Sequence, residues 1–275
     1  MGSFRIATWG TWEKRDQLYV GNDRENDPFD ESVEITRALL ELEYAIESNL
    51  TVSAIFSHVW IKRKVPGANL KEDISGLGDT LLLFKWTVFD TGVPEEEQLE
   101  WLAKEARWRI RVDFGASLPT GKTRTPSLAS AGTPVSLLQA GSGTVQPLLG
   151  VGVRADWGGL AATLDVQSRL PLYENDNDFQ EGVSILTSLG LEVRPVGDLI
   201  FRIALETDYR KRDLQGGNRI QPGGGVRLAV HPTIVWSPIE NLHVFGGVTL
   251  PIYRDAPDRI LDTNLTVEFG ATYVF

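Results

Sequence analysis

Residues 107–118 read RWRIRVDFGASL, and apolar or small side chains alternate with charged or small polar ones throughout this stretch. Alternation with a period of two predicts a β-strand, because successive side chains leave an extended backbone on opposite sides. Arg107, Arg109 and Arg111 share one face, where three guanidinium groups need water or carboxylates around them. An apolar outer face combined with a charged inner face is typical of a transmembrane β-barrel.

The composition is consistent with this prediction. None of the apolar runs among the 275 residues approaches the ~18 residues of a membrane helix, so any membrane crossing must use strands. The chain contains no cysteine, which excludes a disulfide scaffold and thiol catalysis. A formal net charge of −10 argues against nucleic acid as a partner.

About twelve segments of strand length follow one another along residues 1–275, which we expect to form one domain. The connections between them are alternately long and short, as in bacterial outer-membrane barrels. The long connections are predicted at residues 14–32, 62–77, 119–143, 171–182, 211–224 and 254–264. The sequence therefore predicts an all-β protein: a closed antiparallel transmembrane β-barrel of about twelve strands, whose last strand, 265–275, pairs with the first near 4–12.

Three connections allow sharper predictions. Gly158-Gly159 predicts a two-residue hairpin that pairs Arg154 with Thr163. Pro94–Ala106 interrupts the β pattern with a proline, three glutamates and apolar residues at helical spacing, which predicts a short periplasmic helix. The long connection 119–143 could fold into the lumen and narrow it.

The predicted lumen carries basic and acidic side chains in nearly equal numbers. The candidate lumenal residues are Arg107, Arg109, Arg111, Asp113, Arg154, Asp165, Arg169, Arg194, Arg202, Glu206 and Arg227. One interpretation is a paired network that stabilises a small barrel without selecting any solute. The other is a positive stripe that carboxylates neutralise only in part, which would favour anions.

Aromatic side chains near the strand ends form a second candidate set. We expect an interfacial girdle of Trp60, Trp86, Trp157, Tyr209, Trp236, Tyr273 and Phe275. Lys62, Arg63 and Lys64 lie at the outer end of a strand and could hold lipopolysaccharide phosphates, although a solvated basic loop is the simpler interpretation.

Nothing in the sequence indicates an active site. The three histidines, His58, His231 and His243, lie at different predicted positions, and none is near a Gly-x-Ser-x-Gly motif. So few histidines without any cysteine also make a metal site a poor hypothesis. We therefore expect no catalytic residues, no metal and no cofactor.

Three short motifs resemble one family of outer-membrane channels. They are Gly76–Thr80 (GLGDT), Ala116–Gly121 (ASLPTG) and the ending Glu268–Phe275 (EFGATYVF). The ending is similar to the C-terminal signal recognised by the bacterial barrel-assembly machinery. Together the motifs resemble the family called "meta-pathway of phenol degradation", which implies passive uptake of hydrophobic or aromatic small molecules and brings no catalytic residues.

Two other functions remain open from the residues alone: a narrow diffusion channel for small organic anions, and a plugged structural or adhesin barrel. The expected location is the bacterial outer membrane with both termini in the periplasm, as a monomer in contact with lipid and lipopolysaccharide. Charged residues from Arg5 to Arg15 interrupt any apolar core of a signal peptide, so we expect a mature sequence.

Overall fold

The structure, a computed structural model, describes residues 2–92, 102–123, 139–195, 197–219 and 224–275. Ten long strands come first: β1 (Phe4–Gly21), β2 (Ser32–Glu47), β3 (Leu50–Val65), β4 (Thr80–Asp90), β5 (Leu102–Leu118), β6 (Gln146–Gly158), β7 (Leu160–Arg169), β8 (Ser184–Val193), β9 (Leu199–Arg210) and β10 (Gly225–Ile239). The extended element Leu242–Val274 then forms two legs. Residues 242–255, here β11, pair with β10, and residues 256–274, here β12, pair with β1.

Each long strand pairs antiparallel with its neighbours, and β12 closes the sheet onto β1 from Arg5↔Val274 to Trp12↔Val267 and beyond. The predicted all-β fold, a closed antiparallel barrel of twelve strands, is confirmed. The hairpin prediction is also confirmed, because Arg154 pairs with Thr163. Among the described residues, no helix is long and apolar enough to cross a membrane.

The smaller elements lie in the long connections. Asp23–Glu25 pairs with β1, and Leu70–Leu77 pairs with the outer part of β3 after the 3₁₀ turn Pro66–Ala68. Three short strands form a separate small sheet, namely Phe179–Gln180, Leu214–Gln215 and Asn218–Arg219. These connections all lie at the end of the barrel opposite the chain termini. We call that end the long-loop end, and the other the terminus end.

The predicted connections 14–32 and 62–77 are shorter than expected, because β1 continues to Gly21, β3 to Val65, and Leu70–Leu77 is a strand. Two further sequence predictions about the connections are wrong. Leu102–Ala106 belong to strand β5 and not to a helix, because the strand continues past the arginines towards the terminus end; residues 93–101 lie outside the described residues. Residues 254–264 are extended throughout, so β11 and β12 meet without the predicted long polar loop. In both places, pairing with a neighbouring strand prevails over a local composition that suggested another structure.

Apolar side chains cover the outer face of the wall. On β2 the outward positions Ala38, Leu40, Leu42 and Tyr44 face away from the inward-facing Glu41 and Glu43. Nine residues, 36–44, separate the two edges of this apolar belt, which matches the ~9–11 residues that a tilted strand needs to cross a membrane. The exterior therefore has the dimensions and polarity of a membrane-spanning barrel.

A row of charges marks the edge of the belt nearer the long-loop end. Lys14, Glu34, Lys62 and Asp73 occupy matching positions on β1, β2, β3 and the Leu70–Leu77 strand, one outward step beyond the row that contains Trp60. The strands continue past this row, and β1 reaches Gly21, on the order of 20 Å further at ~3.3 Å per residue with tilt. The barrel wall thus extends beyond the apolar belt at the long-loop end.

An apolar cluster lies on the inner face where this extension begins. Inward-facing side chains of β2, β3 and β12 form a buried cluster with Ile74, and Ala140 packs against it. Val33, Ile35 and Leu261 are completely buried. The described part of the 119–143 connection therefore lies against the inner wall, as expected for a connection that narrows the lumen.

Candidate functional site: the lumen of the barrel

The lumen contains a cavity of about 340 Å³ beneath the long loops. One wall is mostly apolar and comes from inward positions of β2, β3 and β4, with Leu39, Ile55, Val59, Ile61 and Leu81 beside Arg37 and Ser57. The opposite wall is polar and comes from β5, β6, β7 and β9, with Ser117, Gln146, Arg169 and Arg210. A solute in this cavity would meet an apolar surface on one side and hydrogen-bonding groups on the other.

Asp79, at the entry to β4, holds the described ends of the 119–143 connection against this cavity. Its Oδ1 accepts a hydrogen bond from the backbone N–H of Gly121 at 3.0 Å. Its Oδ2 accepts two more from Ser142, one from the backbone N–H at 2.7 Å and one from the hydroxyl at 2.6 Å. Residues 139–142 consequently line the cavity, and we call this arrangement the Asp79 clasp.

A four-residue ionic network links β1, β2 and β4 across the inner face. Lys85 Nζ donates to Glu41 Oε1 at 3.0 Å and to Glu43 Oε2 at 2.6 Å. Arg5 donates to the same two carboxylates at 3.1 and 2.8 Å. Lys85 reaches from β4 to β2 past the intervening β3, which is possible only on the concave side of the wall. The inward orientation of these charges follows directly from this contact.

Each of the three arginines of the opening motif has a carboxylate partner. Arg107 and Arg109 both contact Asp90, at 2.6 and 3.3 Å. Arg111 contacts Asp113 at 2.7 Å and, across the lumenal face of β6, Asp165 at 3.1 Å. In these ion pairs, carboxylates neutralise the charge of the arginine row. This arrangement is in line with the interpretation of the lumen as a paired ionic network.

A second group of charges, on β6 and β8, lies beside the arginine row of β5. Arg154 bridges Asp156 at 3.0 Å and Glu192 at 2.8 Å, and Arg194 lies 3.8 and 3.9 Å from the same two carboxylates. The structure therefore brings together the predicted residues Arg154 and Arg194 through two acids. Both are only partly exposed to solvent.

The other candidate lumenal residues lie in different surroundings. Arg227 contacts Asp208 at 3.4 Å and Thr263, in the half nearer the long loops. Glu206 is bound by His231, whose two ring nitrogens lie 2.9 Å from Glu206 and 3.0 Å from Glu268. Within the described residues, Arg169 and Arg202 make no ion pair.

The predicted girdle residues lie on the outer surface. Trp60, Trp86, Tyr209, Trp236, Tyr273 and Phe275 are all exposed, and Trp157 is half-buried. The basic triplet divides between the two faces. Lys62 and Lys64 point outwards and are exposed, whereas Arg63 is buried between Glu31 at 2.7 Å and Glu72 at 2.8 Å. The prediction that the three act as one basic patch is wrong for Arg63, because β3 continues here and alternation turns its side chain inwards.

The two remaining histidines each form a hydrogen bond with a serine, which the sequence did not indicate. His58 Nε2 lies 3.1 Å from Ser75 Oγ on the outer wall, and His243 Nδ1 lies 2.7 Å from Ser237 Oγ at the terminus end. In the described residues, neither imidazole has a carboxylate on its second nitrogen, which nucleophilic catalysis would need for orientation. No three His, Cys, Asp or Glu side chains in the same ranges are arranged to hold a metal ion.

Sequence reasoning missed the inward apolar positions and the clasp. Leu39 lies between two charged inward residues, Arg37 and Glu41. Alternation alone assigns Leu39, Ile55 and Leu81 to the lumen, although we expected only charges there. The signal for Asp79 was the GLGDT motif, and the signal for its partner Gly121 was ASLPTG. Two of the three motifs that carry the resemblance are thus in direct contact.

No family model and no curated protein matches this chain. Among solved structures, an outer membrane channel from Pseudomonas putida F1 superimposes with a TM-score of 0.74 at 14% identity, covering 100% of this chain and 96% of that one. A deletion mutant of TodX, described as a monoaromatic hydrocarbon channel, superimposes with a TM-score of 0.50 at 8% identity over 99% and 90% of the two chains. The fold is therefore that of an outer-membrane β-barrel channel.

Proposed function

We propose that this protein is an outer-membrane channel for passive uptake of small organic molecules, mainly compounds with an aromatic or other apolar part. The single observation that carries the proposal is the lumenal cavity with one apolar wall. Ligand sites for such compounds are concave and mostly apolar, with a few polar groups that fix orientation. Leu81 and Ile55 on one side provide apolar contacts for such a compound, and Gln146 on the other side provides a hydrogen-bonding group.

The proposed location follows from the exterior. The apolar belt on β2 has membrane dimensions, and the short turns lie at the same end as both termini, which in bacterial barrels is the periplasmic end. We propose that Lys62, Lys64 and Lys71, exposed beyond the Trp60 row, face lipopolysaccharide, and that β12 is the contact for the assembly machinery. The proposal includes a monomeric barrel without an enzymatic role or a cofactor.

A second candidate, diffusion of small organic anions, rests on a different observation. Arg169 lines the polar wall of the cavity, Arg202 lies deeper in the lumen, and neither has an ion pair among the described residues. Basic side chains along a pore favour anions. A third candidate, the plugged barrel, would draw on the inward position of residues 139–142.

Single-channel recording in planar bilayers tests these candidates. The proposal predicts discrete conductance steps in potassium chloride, interrupted briefly when benzyl alcohol, a neutral aromatic solute, is added on the long-loop side. The interruptions should become at least threefold shorter in Ile55→Thr, because this substitution makes the apolar wall partly polar. Val52→Thr places the same change on the outer wall of the same strand and should have no effect.

The contrary outcomes are distinct. Absence of conductance steps from correctly folded protein would favour the plugged barrel. Steps that benzyl alcohol leaves unchanged, but that are strongly anion-selective, would favour the anion channel instead of aromatic uptake.

A further inference from the structure

A second, smaller cavity lies on the lumenal wall nearer the terminus end. Its volume is about 200 Å³, and strands β5 to β9 form it. The lining includes Arg109, Arg111, Arg154, Arg202, Thr163, Asp165 and Glu192. Four of these side chains are guanidinium groups, and two are carboxylates. The cavity is therefore more basic than the lumen as a whole.

Two glycines at inward positions make room for the guanidinium groups. A Cβ at Gly190 on β8 would lie 2.6 Å from Thr163 Oγ1 and 3.2 Å from Arg202 Nε. A Cβ at Gly152 on β6 would lie 2.7 Å from Asp165 Oδ1 and 3.3 Å from a terminal nitrogen of Arg111. Any side chain at these positions would occupy the space in which the arginine head groups now lie against the wall.

The charges around this cavity do not balance. Six arginines lie in this part of the lumen, at 107, 109, 111, 154, 194 and 202, against five carboxylates, Asp90, Asp113, Asp156, Asp165 and Glu192. Five of the arginines contact those carboxylates within 4.0 Å, and Arg202 contacts none. Glu206, the next acid along β9, is bound by His231. Arg202 is therefore the arginine of this group that has no carboxylate within 4.0 Å among the described residues.

Two buried polar atoms beside this charge also lack partners. Arg202 Nε and Thr163 Oγ1 are inaccessible to solvent and make no hydrogen bond to any described residue. A buried donor without a partner destabilises the structure, so such groups commonly bind a ligand or ordered water. A charged donor and a hydroxyl at the same cavity are suited to an oxygen anion, which can accept from both.

We propose that the cavity formed by Arg202, Thr163 and Arg111 is a binding site for a small oxyanion, either the carboxylate of an organic acid or a phosphate group. The inference rests on the proposed channel function and extends it. A molecule with an apolar ring and an acidic group would first meet the apolar side chains of the cavity beneath the long loops, and then the Arg202 site. Gly190 keeps the site open, and Thr163 supplies the neutral hydrogen bond.

Calorimetric titration of the full-length protein in detergent tests the site, with benzoate and inorganic phosphate as separate probes. Binding of either probe is expected, and the tighter one identifies the source of the oxyanion. Arg202→Gln should raise the Kd at least tenfold. Arg5→Gln removes one lumenal arginine from the opposite wall and should change the Kd less than twofold. Thr163→Val, which keeps every charge, should raise the Kd about fivefold.

The proposal is overturned if neither probe binds at millimolar concentration, or if Arg202→Gln and Arg5→Gln weaken binding equally, which would indicate only general charge attraction. If Arg202→Gln does not fold, Thr163→Val and Gly190→Ala decide, because unchanged Kd values in both exclude the site. Conductance recorded on the same preparations separates the two hypotheses: an open channel that binds neither probe contradicts the oxyanion site alone, whereas absence of conductance contradicts the proposed channel.

Discussion

Asp79 accepts a hydrogen bond from the backbone N–H of Gly121 at 3.0 Å, and this contact joins two sequence motifs that are 42 residues apart. The other carboxylate oxygen of Asp79 binds Ser142, so a single side chain holds both described ends of the longest connection. Because residues 139–142 line the cavity beneath the long loops, the same carboxylate also shapes the lumen.

Replacing Asp79 by alanine should release the ends of the 119–143 connection. Three hydrogen bonds to a carboxylate are lost, and we expect a conductance that fluctuates between several levels in place of one steady level. Asp73→Ala, which removes an exposed outward acid, is the matched control. A steady conductance equal to that of the unsubstituted protein would show that the clasp does not hold the lumen in shape.

Replacing Leu40 by arginine should destabilise the barrel in lipid vesicles by about 2–4 kcal/mol, because Leu40 lies at the centre of the apolar belt on β2. The same residue placed at Glu34, beyond the belt, should cost about 1 kcal/mol or less. Urea unfolding followed by tryptophan fluorescence measures both. Equal costs at the two positions would contradict the assigned membrane boundary.

Replacing Lys85 by methionine should leave Arg5, at 3.1 and 2.8 Å, as the one cation among the described residues that contacts Glu41 and Glu43. Removing one partner from a fully buried ion pair costs about 3–5 kcal/mol, and we expect about 2 kcal/mol for this partly solvated network. Lys71→Met, at an exposed outward position, should change the unfolding free energy by less than about 0.5 kcal/mol. An unchanged midpoint for Lys85→Met would mean that water replaces the lysine at no cost.

Replacing Arg107, Arg109 and Arg111 together by serine should shift ion selectivity towards cations. The substitution removes three positive charges and leaves Asp90 and Asp113 without their partners, so the lumen becomes more acidic. Reversal potentials in a potassium chloride gradient measure the shift. The triple control Lys62→Ser, Lys64→Ser, Lys71→Ser removes the same charge from the outer surface. A reversal potential that moves equally in both variants would place the effect outside the lumen.

The barrel itself could be predicted from the sequence because its signals are local. Alternation with a period of two follows from the backbone of a single strand, as in 107–118, and the Gly158-Gly159 turn fixes the register of the hairpin it joins. The aromatic last strand, 265–275, needed only its position and pattern. Such features depend on residues within about ten positions of one another, so no knowledge of the remaining chain was required.

Tertiary structure decided which lumenal charges have partners. Arg111 contacts Asp165, 54 residues away, and Lys85 contacts Glu41, 44 residues away, and both contacts depend on the combined registers of several strands. Arg202 is left without a carboxylate for the same reason. Sequence pattern places a side chain on the inner face, but the sum of the registers around the closed sheet determines its neighbours. Alternation also turns Arg63 inwards, but its contacts with Glu31 and Glu72 depend on connections that fold back over the strands, which the period of a strand does not encode.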